Sequence, residues 1–349
     1  MKRFVKKAVS LLLVSGMALS MAACGGSSSS SSSASGSASG ASSDKKVTLN
    51  MSHTQAPNSV SDLTAQEFAK LVDEKSNGSV EVKIYTNCGL SGGDLTKAIE
   101  MVQTGDIDIH SCAPANIANF DKRFYVFWLP YLFNTEEDLI NKCGSEEFKT
   151  AINGWCNSLN MTMLGINNAG ARQISNSKKE ITTPEDLQGL NIRVPGANVF
   201  IDLYKDYFHA NPTAMDFSEV YTALQQGTID AQENPISVFA SSKLNEVQQY
   251  VTLWDGVRDT TIWVMNTNKL NSLSDDQKKA VEEAAAEALQ WGNDYLAENE
   301  SDIIAQLKEG GTTITELTDE QKQAFKDASA GIYDKYADEL GQDVIDLFK

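Results

Sequence analysis

The stretch DFSEVYTALQQGTIDAQENP, residues 216–235, reads as a helix that stops at a glycine and passes straight into an extended segment closed by proline. Phe217, Val220, Tyr221 and Leu224 recur at helical spacing, which predicts a helix over 217–226 with one apolar stripe. Gly227 suits the left-handed position just past a helix end. The segment TIDA (228–231) is then expected to form a strand whose carboxyl end delivers Gln232, Glu233 and Asn234 to a cleft. Pro235 cannot continue a ladder and biases Asn234 toward an extended backbone. The same design occurs 122 residues earlier. IEMVQTGDIDI (99–109) aligns without gaps on YTALQQGTIDA (221–231), sharing Gln, Gly, Ile and Asp at the same four places. A helix–glycine–strand unit used twice predicts two lobes of similar α/β build, with ligand groups at the carboxyl ends of the strands.

Outward from these units, VTLNMSH (47–53) and VEVKIYT (80–86) read as strands, and SDLTAQEFAKLVDEKSNG between them as a helix ended at Gly78. Strand–helix–strand is the element of a parallel sheet. The segment 274–311 opens with Ser274 three residues before Gln277, a capping-box spacing, and closes on two glycines. A helix of about 35 residues is about 53 Å long, more than one lobe needs, so it is expected to cross between lobes. A second capping-box spacing, Thr318 to Gln321, opens a helical C-terminal region. The expected organisation is residues 44–169 with 259–297 in lobe I, and 170–258 with 298–349 in lobe II.

The N-terminus carries Lys2, Arg3, Lys6 and Lys7, then an apolar run, then small residues before Cys24, the order of a secretory signal peptide over 1–23. Met21-Ala22-Ala23-Cys24 resembles the bacterial lipobox, which implies a lipid on Cys24 and an extracytoplasmic protein anchored to the cell membrane. Residues 25–43 are only Gly, Ser and Ala, a flexible tether with a reach of roughly 24 Å. Loss of the four leader cations takes the formal charge from −18 to −22. So acidic a chain is not expected to bind nucleic acid, whose phosphates demand Lys and Arg. Cys88, Cys112, Cys143 and Cys156 permit two disulfides; Cys88 with Cys112 and Cys143 with Cys156 is the expected pairing, with free buried thiols as the alternative.

Catalytic signatures are missing: His53, His110 and His209 are scattered, and there is no HExxH, GxSxG or phosphate-cradling glycine loop. No enzyme activity, metal or cofactor is expected. Only five of the 29 basic residues are arginine, and Arg3 lies in the leader. Where lysine serves for surface charge, an arginine beside an apolar strand points to the two-pronged pairing its fork makes with a carboxylate. Arg193 in LNIRVPG and Arg172 in NNAGARQIS, the latter placed just before a strand, are the candidates. For either, a structural ion pair is the competing role.

NAGARQISNSKKEITTPEDLQGLNIRVPG (168–196) followed by ANPTAMDFSEVYTALQQGTIDAQENP (210–235) resembles the DctP family of solute-binding proteins of tripartite ATP-independent periplasmic (TRAP) transporters. The likeness is strongest over 165–270 and weaker over 47–133. It implies a periplasmic-binding-protein-like fold, a cleft between two α/β lobes and a long helix spanning both. It further implies a monomer that captures an organic acid and passes it to small and large membrane subunits; a sensor presenting its closed form to a receptor is the alternative. The family's carboxylate clamp falls on Arg193, a second contact on Arg172, the pocket aromatic on Phe217 and the ligand-bonding asparagine on Asn234. Gln232, His53, Gln55 and Asp94 add polar candidates, which lean toward a sugar acid such as a uronate over a C4-dicarboxylate. Two departures bear on the ligand: Ala231 stands where the family has glycine, and the loop NCGLSGGD (87–94) is longer than usual.

Overall fold

The computed structural model describes residues 45–348. The expected signal peptide and tether, and Cys24, lie outside the described residues. In chain order the first half contains β1 (Val47–His53), α1 (Val60–Lys75), β2 (Val80–Tyr85), α2 (Leu95–Thr104), β3 (Ile109–Cys112), α3 (Glu136–Gly144), α4 (Glu146–Asn157) and β4 (Met161–Asn176). Then come β5 (Asn191–Val194), α5 (Asn198–Asp202), β6 (Asn211–Ala214), α6 (Phe217–Gln225), β7 (Ala231–Pro235), α7 (Ile236–Ser241), β8 (Tyr250–Asn266) and α8 (Thr267–Asn271). The long α9 (Asp275–Glu309), β9 (Thr313–Glu316), α10 (Asp319–Ser329) and two short helices complete the chain.

One mixed sheet runs β2-β1-β3-β8-β4-β7-β5-β6, with β9 beside β8. Parallel triplets form its two flanks, β2-β1-β3 and β7-β5-β6. Between them β4 and β8 pair antiparallel over their whole lengths, from Met161 opposite Asn266 to Asn176 opposite Tyr250. These two strands belong to both lobes. Three register shifts, at Met163/Gly165, Asn168/Gly170 and Arg172/Ile174, interrupt the pairing where the chain passes from one lobe to the other, as bulges do where a strand must bend.

The internal repeat is structural. α2 and α6 both begin after an aspartate, Asp94 and Asp216, and both are followed by a glycine at positive φ, Gly105 at 90° and Gly227 at 69°. A side chain would be strained there, so glycine ends each helix. The next apolar residue, Ile107 or Ile229, is buried, and the following aspartate reaches the neighbouring strand: Asp108 accepts from the Asn50 N–H at 2.7 Å, Asp230 from the Asn191 N–H at 3.1 Å. The shared Gly, Ile and Asp thus have the same work in both lobes. One boundary differs from the expectation: Thr228–Asp230 form the turn and β7 starts at Ala231, so Gln232, Glu233 and Asn234 lie within the strand rather than beyond it. Likewise Arg172 sits inside β4, not ahead of a strand.

Helix α9 has 35 residues and the capping box at Ser274 and Gln277. Val281, Ala284, Ala285 and Ala288 pack with Leu49, Met51 and Phe68 of the first lobe, while Leu307 packs with Val220 and Leu224 of the second. The helix therefore braces both lobes, as its length predicted. The expected disulfides are absent: Cys88, Cys112, Cys143 and Cys156 are free, buried thiols. Cys112, Cys143 and Cys156 are packed into the largest apolar cluster among aromatic side chains. Burial pushes the Cys88, Cys143 and Cys156 thiols up to about 12, which keeps them protonated.

Candidate functional site

β7 is the centre of the site because it lies between β4, antiparallel, and β5, parallel. Its AQENP run is buried throughout, unusual for a polar segment, so each side chain needs a partner. Glu233 takes Arg172. The Arg172 Nε and Nη2 both donate to the Glu233 carboxylate, the Nη2–Oε1 distance being 2.7 Å, and Nη1 donates to Asp259 at 2.5 Å. Nη2 also bonds the Glu233 carbonyl at 2.9 Å and the Asn234 Oδ1 at 3.2 Å. Trp128 and Phe200, stacked with centroids 4.6 Å apart, lie against the guanidinium, and the Trp128 indole N–H donates to Asp259 at 2.9 Å. Burial alone would lower the Arg172 pKa; Glu233 and Asp259 reverse that and hold it well above the ordinary arginine value.

Arg193 on β5 stands in different company. It is 2% exposed, and its Nε and Nη2 donate to a single backbone carbonyl, that of Met215, at 2.9 and 2.7 Å. Its guanidinium carbon is 5.6 Å from the centre of the Phe217 ring. Among the described residues no carboxylate pairs with it and Nη1 has no acceptor. Burial, with repulsion from Arg172, pulls its pKa down to about 10 despite the pull of Glu233 and Asp216, so the group is a cation at neutral pH without a counter-ion in contact.

A cavity of about 70 Å³ opens in front of it, lined from both lobes. Arg193, Arg172, Asn234 and Phe217 are in its wall. Gln232, His53 and Asp94 are not. Gln232 is fully buried behind Asn234, accepting from its Nδ2 at 2.5 Å and donating to Ser175 at 2.6 Å. His53 is also fully buried; it pairs with Asp62 at 3.2 Å, and its Nδ1 accepts from the Gln55 N–H at 3.3 Å. These bonds require the proton on Nε2, and they fix Gln55, which does line the cavity. Asp94 caps α2 through the Lys97 N–H at 2.8 Å.

The first-lobe wall contains groups that sequence reasoning passed over. Asn167 of β4 and Thr260 of β8 face each other's strands near the crossing and join Gln55 in the lining. Gln55 Oε1, Asn167 Oδ1 and Thr260 Oγ1 are all buried without a hydrogen-bond partner. The available signal was polar pairs inside otherwise apolar strands, INNAG at 166–170 and DTTIW at 259–263. Such groups cost free energy unless a ligand completes them. The cavity thus offers one uncompensated cation on one side and unfilled oxygens on the other.

Residues 51–339 match DctP, the bacterial extracellular solute-binding proteins of family 7. The 2,3-diketo-L-gulonate-binding periplasmic protein YiaO of Escherichia coli K12 is 31% identical over 290 residues, 82% of each chain. A TRAP periplasmic solute-binding protein from Sulfurospirillum deleyianum, solved with succinate, superposes with TM-score 0.81 at 29% identity, covering 87% of this chain and 98% of that one. Another from Polaromonas sp. JS666, bound to D-erythronate, gives 0.82 at 28% identity, covering 87% and 98%. With the two-lobed architecture shared along almost the whole described chain, the protein belongs to the DctP family of extracellular solute-binding proteins.

Proposed function

We propose that this protein captures an organic acid outside the cytoplasm and passes it to the membrane subunits of a TRAP transporter, as a binding protein rather than an enzyme. The observation that carries the reading is Arg193, a buried cation with no carboxylate partner in the wall of the cavity. The ligand carboxylate supplies the missing counter-ion through Nη1, Phe217 packs beside it, and Asn234 donates its remaining amide hydrogen. Arg172, with two carboxylates already on it, retains at most one Nη1 hydrogen for a second contact.

A sugar acid is favoured over a C4-dicarboxylate. A second carboxylate would have no cation left, because Arg172 is neutralised by Glu233 and Asp259. Hydroxyl groups, in contrast, can donate to Gln55 Oε1 and Asn167 Oδ1. Related proteins bind acids of both kinds, diketogulonate and erythronate as well as succinate, so the preference rests on the cavity's own groups. The MAAC sequence supports lipid attachment at Cys24, which would keep the protein near its transporter. No helix among the described residues is long and apolar enough to cross a membrane.

The test is thermal unfolding against uronates, aldonates, C4-dicarboxylates and neutral sugars. A ligand at 100 times its Kd adds about 2.7 kcal/mol, a shift of several degrees. The expected result is a rise with hydroxylated monocarboxylates, lost in a folded Arg193→Ala variant. A rise with neutral sugars alone, or full affinity in that variant, would remove the clamp.

A further inference from the structure

The equivalent N-cap aspartates of the internal repeat behave differently. Asp94 caps its own helix, α2, through Lys97 N–H at 2.8 Å. Asp216 makes no side-chain cap bond to its own helix, α6; its Oδ1 instead lies 3.5 Å from the Leu95 N–H, the first donor of α2 in the opposite lobe. The two helix starts meet closely: a Cβ placed on Gly93 would come within 2.8 Å of Ser218 Oγ. α2 is therefore capped twice, once by each lobe, and the second cap exists only while the lobes are together. Resting on the proposed binding role, we infer that Asp216 is the closure latch of the cleft, a positioning residue that slows ligand release by capping α2 across the lobe boundary.

The latch is an acceptor first and a charge second. The N–H groups at a helix start are unsatisfied donors and carry the positive end of the dipole, so an oxygen there is favourable. Burial, with Asp94 and Glu219 adding to it, raises the Asp216 pKa against the pull of the Leu95 N–H and Arg193. A neutral acceptor is then expected to serve as well as the carboxylate.

Amide hydrogen exchange of the full chain, with and without D-glucuronate as probe, tests this at Leu95, with Lys97 as the internal reference in the same helix. In wild type and Asp216→Asn, Leu95 should be protected, more so with glucuronate. In Asp216→Ala its protection should fall about tenfold, the scale of one lost cap. Lys97 should be unchanged, and glucuronate release should quicken by a similar factor with the association rate unaltered. Equal Leu95 exchange in wild type and Asp216→Ala overturns the latch, as does Asp216→Asn behaving like Asp216→Ala. Arg193→Ala separates the two readings: retained glucuronate affinity there overturns the clamp, while the Leu95 comparison without ligand still decides the latch.

Discussion

Two arginines lie in one cavity wall, both buried and both against aromatic rings, yet their surroundings are opposite. Arg172 is held by two carboxylates, a backbone carbonyl and an amide. Arg193 has only the Met215 carbonyl. Burial alone therefore does not distinguish the two; the presence of a counter-ion does. Arg172 has its counter-ions before any ligand arrives, and its bonds tie β4, β7 and β8 together around the site. Arg193 is incomplete, and under the proposed clamp this would make the site selective, because a neutral analogue would leave a desolvated cation unpaired.

The largest way to break this contrast is Arg172→Ala, which would leave Glu233 and Asp259 buried without their cation. It should cost about 3–5 kcal/mol of folding stability, read by denaturant unfolding. Arg193→Ala, measured alongside, should keep nearly all of its stability and lose about 2–5 kcal/mol of binding, read by calorimetry with the acid found in the unfolding panel. If the two variants exchanged these effects, the roles assigned here would be reversed. Gln55→Ala sharpens the contrast from the far wall: it should weaken a hydroxylated acid by about 1 kcal/mol and leave succinate unaffected.

The smallest effect is expected at Asp255, whose pair with Lys322, 2.5 Å long, is 28% and 37% exposed. Burial opposes ionisation of Asp255, but Lys322 and the Gln173 amide outweigh it and hold the pKa below its ordinary value of 3.8. A depressed carboxylate pKa gives stability that is present above the unfolded value and lost as pH falls through the folded one. Asp255→Asn should therefore cost less than about 1 kcal/mol at pH 7. The gap from wild type should close as pH is lowered below 3.8, read as unfolding midpoints across that range. A gap that persists in acid would mean that shape, not charge, is what the pair contributes.

Elements set by short-range chemistry were legible in the chain. The helix ends at Gly105 and Gly227, the capping boxes at Ser274 and Thr318, and the length of α9 follow from periodicity, caps and turn residues acting within a few positions. The start of β7 was less legible, because Thr228–Asp230 have strand-like composition but Thr228 is held to the end of α6, its N–H and hydroxyl both bonding the Ala223 carbonyl at 3.0 Å. The disulfide pairing was not legible at all, since cysteine spacing says nothing about which thiols the core will separate.

Sequence by itself indicated the two lobes, through the repeated helix–glycine–strand unit, and the candidates Arg193, Phe217 and Asn234, through the family resemblance. Only the tertiary structure decided which arginine has a counter-ion, because the partners of Arg172 lie 61 and 87 residues away on other strands. It also decided that Gln232 and His53 stand behind the wall while Asn167 and Thr260 form it, and that Asp216 reaches the opposite lobe. The physical reason is range: propensity and capping act along the chain, whereas burial and charge pairing depend on what the fold brings beside each group.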